Sequence, residues 1–222
     1  MVPILVSIQV GRPRVLDHEN PWSSAIFKQP VEGPIELGPL NLVGDEQADP
    51  TVHGGTDKAI CVYSVDHAMA WQREPGLEAW GPGAAGENFT VSGQTEDTVS
   101  IGDTFQVGSA VVQVSQPRGP CWKLGRKWNM TDLPRRVLRT GRTGWYLRVL
   151  SPGRVEPRLS LTLRERTHPE WSITRANSVM YDRTTDLETV RALAECAALA
   201  SSWREALRSR VSPGVEPHAD RQ

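Results

Sequence analysis

Up to about Leu163 the apolar positions fall in short runs separated by Gly and Pro. The runs are Ile4–Val10, Asn88–Val91, Thr104–Val107, Ala110–Ser115, Trp145–Leu150 and Leu159–Leu163. Turn signals such as Val91-Ser92-Gly93 and Ser151-Pro152-Gly153 punctuate them. Short β-leaning runs broken by turn residues predict an all-β barrel or sandwich. Two stretches interrupt the series with a helical pattern. Asp66 to about Arg73 opens on an Asp cap and carries His67, Met69, Ala70 and Trp71. Thr131–Arg139 opens on Thr131 or Asp132, has Pro134 in its first turn and stops before Gly141.

Beyond Thr167 the period changes. Leu187, Val190, Leu193, Ala194 and Ala197 follow the 3.6-residue repeat of a one-sided helix. Ser172 before Ile173–Met180, Asp186 before Leu187–Leu199, and Ser201 or Ser202 before Trp203–Arg208 supply caps for three short helices. Each would be marginal alone, so they should pack together or against the barrel. The chain therefore divides into a β-domain over 1–166, a helical appendage over 167–210 and a tail over 211–222. Pro213, Gly214 and Pro217 make that tail a candidate for disorder.

Bulk properties then narrow the partners. A hydrophobic content of 38% with 23% charged residues excludes a disordered chain. The net charge of -1 offers no global attraction to nucleic acid or an anionic membrane. No apolar run approaches the roughly 20 residues that span a bilayer. The opening Met1–Val10 has no basic lead-in or small-residue cleavage site, and reads as a strand and not a signal peptide. Three widely spaced cysteines without a CxxC pair fit a reducing compartment, so the expected location is the cytoplasm.

Four stretches carry residues suited to a ligand site. Ser23-Ser24-Ala25-Ile26-Phe27-Lys28 sets a lysine among apolar residues; Val52-His53-Gly54-Gly55-Thr56-Asp57-Lys58 joins a histidine to a glycine pair. Gly83-Ala84-Ala85-Gly86-Glu87-Asn88 is the third. The fourth is the sharpest: Gln116-Pro117-Arg118-Gly119-Pro120-Cys121 follows a strand, with Lys123 two residues on. Cations beside a cysteine favour the thiolate, which ligates metals or attacks electrophiles. Buried inert thiols are the commoner fate of the residue, and Cys61 and Cys196 read as core cysteines of a strand and an alanine-rich helix. Gly54, Gly55, Gly83 and Gly86 are candidates to present backbone N–H groups to an anion, though turn glycines explain each pair taken alone. Lys28 and Arg118 suit a phosphate, and His53 and Asn88 can add side-chain hydrogen bonds.

The phrases SAIFKQPVEGPIEL, LVGDEQADPTVHGGTDKAICVY, GENFTVSG, IGDTFQVGSAVVQVSQPRGPCWKL and TGWYLRVLSPG resemble those of stand-alone bacterial MOSC-domain proteins of the YiiM type. They stand in the family's order over roughly Ile4 to Arg164, and Ile173–Arg210 looks like that subgroup's three-helix appendage. Any one phrase is weak; five in order are specific. Ala84-Ala85 replaces a bulkier residue before the GEN phrase.

The resemblance implies a mainly β (α+β) pseudo-barrel that binds the pyranopterin-dithiolene molybdenum cofactor, with Cys121 as metal ligand. Lys28, His53, Gly54, Gly55, Gly86, Asn88, Gln116 and Arg118 match the cofactor-binding positions. It further implies an oxidoreductase that reduces N-hydroxylated compounds, such as hydroxylaminopurine-type bases, to amines. The chain shows no flavin, haem or iron–sulfur motif, so electrons would come from a separate reductase. Two other roles are compatible with the resemblance: a relay carrying sulfur as a Cys121 persulfide, and a carrier that hands the cofactor on.

Overall fold

The computed structural model of the chain describes residues 2–211. The tail expected beyond them lies outside the described residues, and Val211 itself closes the last helix. The early strands are β1 (Ile4–Val10), β2 (Arg14–Leu16), β3 (Trp22–Ser24), β4 (Gln29–Pro30) and β5 (Ile35–Leu37). A short helix α1 (Pro50–His53) leads to β6 (Ile60–Ser64), α2 (Ala68–Trp71), β7 (Phe89–Ser92), β8 (Thr104–Val107) and β9 (Ala110–Pro117). Then come α3 (Trp122–Lys127), α4 (Leu133–Thr140), β10 (Trp145–Ser151), β11 (Gly153–Val155) and β12 (Thr162–Glu165). Helices α5 (Ile173–Tyr181), α6 (Leu187–Glu195) and α7 (Ser201–Val211) complete the described chain.

Eight strands form one sheet in the order β12-β8-β9-β10-β6-β7-β1-β4. Only β6 and β7 run parallel within it. The sheet curls because the chain just before β12 reaches the opposite end of the sheet. Leu5 N donates to the Leu159 carbonyl at 2.8 Å and Arg158 N to the Leu5 carbonyl at 2.7 Å. Those bonds satisfy backbone groups of β1 that an open edge would leave bare. The β2–β3 hairpin and the β5–β11 pair stand apart as two-stranded sheets.

Inside the curl, Leu5, Ile8, Val62, Phe89, Val91, Val112, Val114, Trp145 and Leu147 form the core. Ile173, Ala176 and Val179 of α5, Val190 and Leu193 of α6, and Trp203 and Leu207 of α7 belong to the same cluster. The three helices thus bury their 3.6-period faces against the sheet, which supplies the stability that short helices lack alone. Ser172 accepts a hydrogen bond from Arg175 N, and Asp186 one from Thr189 N, so both caps form as the sequence predicts. A second cluster, Tyr63, Trp71, Leu77, Trp80, Leu124, Leu133 and Val137, anchors α3 and α4.

Several sequence-based expectations are corrected. Asp66 does not cap the helix it precedes: Ser64 caps a 3-10 turn over Val65–His67 by accepting from Asp66 N. The Asp66 carboxylate instead accepts from Gly93 N at 2.9 Å. The second interrupting helix begins at Leu133, and the Asp132 carboxylate is drawn away from capping by Arg136 Nε at 2.8 Å. Helix α6 stops at Glu195, so Cys196 is not helical but sits in the C-cap position, buried as expected. The chain leaves the helix there because Leu199 and Ala200 turn into the core and Ala200 N donates to the Ser115 carbonyl of β9 at 2.9 Å.

Candidate cofactor site

The curled sheet carries an open cleft on one side. Its floor is formed by Cys61 of β6 and Tyr146 of β10, which stand opposite one another, and Gln116 of β9 stands opposite Tyr146 on the far side. Directly opposed residues share a face of a sheet. Cys61 and Tyr146 line the cleft. Gln116 does not, but it is buried and its Oε1 has no partner among the described residues, while its Nε2 donates to the Pro117 carbonyl at 3.2 Å.

Cys121 lines the same cleft at its edge. Strand β9 ends at Pro117, the Arg118-Gly119-Pro120 segment turns, and Cys121 takes the N-cap position of α3. Leu124, one turn on, is fully buried in the second cluster and so holds the start of α3 in place. The thiol is free and partly accessible, whereas Cys61 and Cys196 are buried. Burial pushes the Cys61 thiol up to about 11, and Cys61 stays protonated at neutral pH.

Arg118 is buried behind Cys121. Its backbone N donates to the Gly144 carbonyl at 3.0 Å and its Nη2 to the Ala85 carbonyl at 2.8 Å. Lys28 enters from the segment after β3 and forms a buried ion pair with Asp45; their side chains are 8% and 0% exposed. Asp45 also accepts from Gly11 N at 2.8 Å and from Gln47 Nε2 at 3.3 Å. Such a pair needs this many donors to offset the desolvation of two charges.

His53 ends α1 and faces the cleft. Burial, and then the positive charges of Lys123, Lys58 and Arg118, push its pKa down to about 4, so the imidazole is neutral at pH 7. Four cations line the cleft, Lys28, Lys58, Arg118 and Lys123, against two carboxylates, Asp45 and Glu46. The cleft is electropositive in a chain that is nearly neutral overall. Burial also raises the Tyr146 phenol well above its ordinary value, and the hydroxyl remains protonated.

Lys28, His53, Gly86, Asn88, Arg118 and Cys121 therefore converge on one cleft, across 93 positions of sequence between Lys28 and Cys121. Some of them act differently from the expectation. Asn88 has no free hydrogen-bonding atom. Its Oδ1 accepts from Cys61 N at 3.1 Å, and its Nδ2 donates to the Gln9 carbonyl at 3.2 Å and Asp45 Oδ2 at 2.9 Å.

Gly54 and Gly55 do not line the cleft; Gly54 N closes α1 by donating to the Pro50 carbonyl, and Gly55 makes the turn beyond it at φ +93°. The N–H groups of Gly83 and Gly86 are spent within their own loop, on Glu87 Oε1 and the Gly83 carbonyl. What Gly86 contributes is closeness. At φ +81° an added Cβ would lie 2.5 Å from Ile26 Cγ1. Ala85, at the departure from the resemblance, uses its small size to line the cleft and its carbonyl to hold Arg118.

Asp45, Lys58 and Tyr146 were not singled out in sequence. Asp45 and Lys58 lie within the quoted phrases, and Tyr146 alternates with the core residues Trp145 and Leu147. That alternation is the signal that could have aimed Tyr146 at the open face.

With this geometry in view, the relatives become informative. The profile of the MOSC domain matches residues 49–158, and that of a YiiM-like, 3-alpha helix domain matches residues 171–214. Protein YiiM of Escherichia coli is 35% identical over 211 residues, covering 94% of this chain and 93% of that protein. The chain belongs to the MOSC-domain family. As a MOSC protein it carries a domain associated with the molybdenum cofactor. The crystal structure of YiiM from Geobacillus stearothermophilus superposes with a TM-score of 0.81 at 37% identity, covering 95% of this chain and all of that one. A protein called Reductase from Gibberella moniliformis is 35% identical over 88% of this chain, but the match spans only 35% of the fungal protein. No helix among the described residues is long and apolar enough to cross a membrane.

The MOSC cleft fits the cofactor by its chemistry. A phosphate and a pterin need fixed cations and a buried polar atom still without a partner; the cleft has the cations, and among the described residues Gln116 Oε1, next to Tyr146, has no partner. A molybdenum–dithiolene needs a soft protein ligand at the other end, and Cys121 is an accessible thiol. Among the described residues no three His, Cys, Asp or Glu side chains form a metal cage of their own.

Proposed function

We propose that this protein is a molybdenum-cofactor-dependent oxidoreductase that reduces N-hydroxylated compounds, hydroxylaminopurine-type bases among them, to amines. The observation that carries the reading is the accessible Cys121 thiol at the edge of an electropositive cleft built from stretches far apart in the chain. The name Reductase on a protein 35% identical over this chain adds support.

In the overall reaction R–NHOH takes up two electrons and two protons; the N–O bond breaks, and R–NH2 and water leave. When bound, the cofactor supplies the two-electron chemistry at oxygen. Cys121 would be its protein ligand, and Lys28, Lys58 and Arg118 would hold its charged end. His53, neutral at pH 7, can donate a hydrogen bond from one ring nitrogen and accept one at the other. The protonated Tyr146 hydroxyl is a hydrogen-bond donor at the floor. The electrons come from a separate reductase, and the setting is the cytoplasm, which three unpaired cysteines suit.

Expression in a host that makes the cofactor, followed by molybdenum analysis and a hydroxylamine-reduction assay with a chemical electron donor, tests the proposal. Bound molybdenum with turnover supports it. Metal and pterin without turnover on any N-hydroxylated compound point to a carrier, and cyanolysable sulfur on Cys121 points to a sulfur relay.

A further inference from the structure

Beside Cys121, at the rim of the cleft, the protein displays a tryptophan pair that the cofactor site does not use. Trp122 follows Cys121 directly and is 44% exposed, although its neighbours in sequence on both sides line the cleft. Trp22, on the hairpin strand β3, meets it from the opposite side, with ring centroids 5.6 Å apart and planes tilted by 57°. Strand β3 ends at Ser24, and Ser24, Ala25 and Ile26 line the cleft. Phe27 extends the aromatic group, 6.4 Å from Trp22. Lys123 Nζ and the Arg126 guanidinium stand 5.9 and 6.0 Å from the Trp122 centroid and help hold the indole in place.

An indole 44% exposed beside a partly accessible thiol is a surface that a ligand can cover. A flat, polarisable ring covers an indole face well, and stacking on an indole tolerates any such ring. An aliphatic hydroxylamine has no face to offer. The other exposed aromatic among these large side chains, Tyr181, packs edge-on against Trp203 with ring centroids 6.2 Å apart, whereas Val15, Val43 and Met69 are aliphatic.

We infer that Trp122 and Trp22 form a stacking platform that selects planar, heteroaromatic N-hydroxylated substrates over aliphatic ones. The inference rests on the reductase reading for its substrate class, and the platform itself is a property of this rim. It stacks the ring of the substrate while the N–O group enters the cleft toward Cys121.

The test uses the molybdenum-loaded protein with a chemical electron donor, so that docking of a protein reductase plays no part. The ratio of kcat/KM for an N-hydroxylated purine to kcat/KM for an aliphatic hydroxylamine should fall roughly tenfold in Trp122→Ala. Trp122→Phe, which keeps a ring, should recover most of it. An unchanged ratio overturns the inference. So does a defect seen only with a protein reductase, which would assign the pair to partner docking. Adenine binding by calorimetry supplies an arm independent of turnover. If the wild-type protein reduces nothing yet binds adenine roughly tenfold more tightly than Trp122→Ala, the platform stands and the reductase reading falls. Equal adenine affinities remove the platform.

Discussion

Asn88 separates the sequence reading from the structural one, and a single substitution tells them apart. As a cofactor ligand, Asn88 could be truncated with little effect on the apo protein and a large effect on loading. The structure instead has its amide tying three segments together: Cys61 N at 3.1 Å, the Gln9 carbonyl at 3.2 Å and Asp45 Oδ2 at 2.9 Å. Asn88→Ala removes two neutral bonds worth about 1 kcal/mol each and one to a carboxylate worth about 1.5–3 kcal/mol. The sum is about 4 kcal/mol, taken from the apo protein. For a chain of this size that corresponds to a fall in Tm of roughly 8–16 °C. Circular dichroism melts of cofactor-free wild type and Asn88→Ala measure it, with urea titrations as a check on the free energy. A variant that melts within a degree or two of wild type, yet fails to take up cofactor, would refute the structural account.

Cys121→Ser is expected to lose molybdenum and keep its fold, while Cys61→Ser keeps the metal; mass-spectrometric metal analysis decides, and metal retained in Cys121→Ser would overturn the ligand assignment. Gly86→Ala forces a side chain to φ +81° with its Cβ 2.5 Å from Ile26 Cγ1, so a loss of at least about 2 kcal/mol in urea unfolding is expected. His53 has a native pKa of about 4 against an unfolded value near 6.5, so on acidification the unfolded chain takes up a proton that the native protein refuses. Stability should therefore fall as the pH drops from about 6.5 to 4, and His53→Gln should lose roughly 1–2 kcal/mol less over that window, the figure reduced for partial solvent screening. Parallel pH profiles of Tm for the two proteins would refute the burial of the imidazole.

Short-range order was legible in the chain itself. Short β-leaning runs between Gly and Pro define β1 and β8–β10 almost to the residue, because strand propensity and turn chemistry are local properties. The 3.6-residue faces of α5, α6 and α7, and the Ser172 and Asp186 caps, are local in the same sense. The residue types that suit an anion and a metal, cations and a cysteine in a tight turn, could also be picked out one stretch at a time.

Tertiary structure decided the rest, because it settles which hydrogen-bonding capacity remains free. The N–H groups of Gly54, Gly83 and Gly86 and the amide of Asn88 are consumed inside the protein, while Gln116 Oε1 is left unpartnered. Asp66 has the chemistry of a cap, but Gly93, brought beside it by the fold, draws its carboxylate elsewhere. Asp45 acquires its place only when Gly11, Lys28, Gln47 and Asn88 come together around it, four residues from separate parts of the chain. Composition and spacing determine what each group can do; folding determines which groups still have something left to do it with, since a buried donor or acceptor must first satisfy its nearest neighbours.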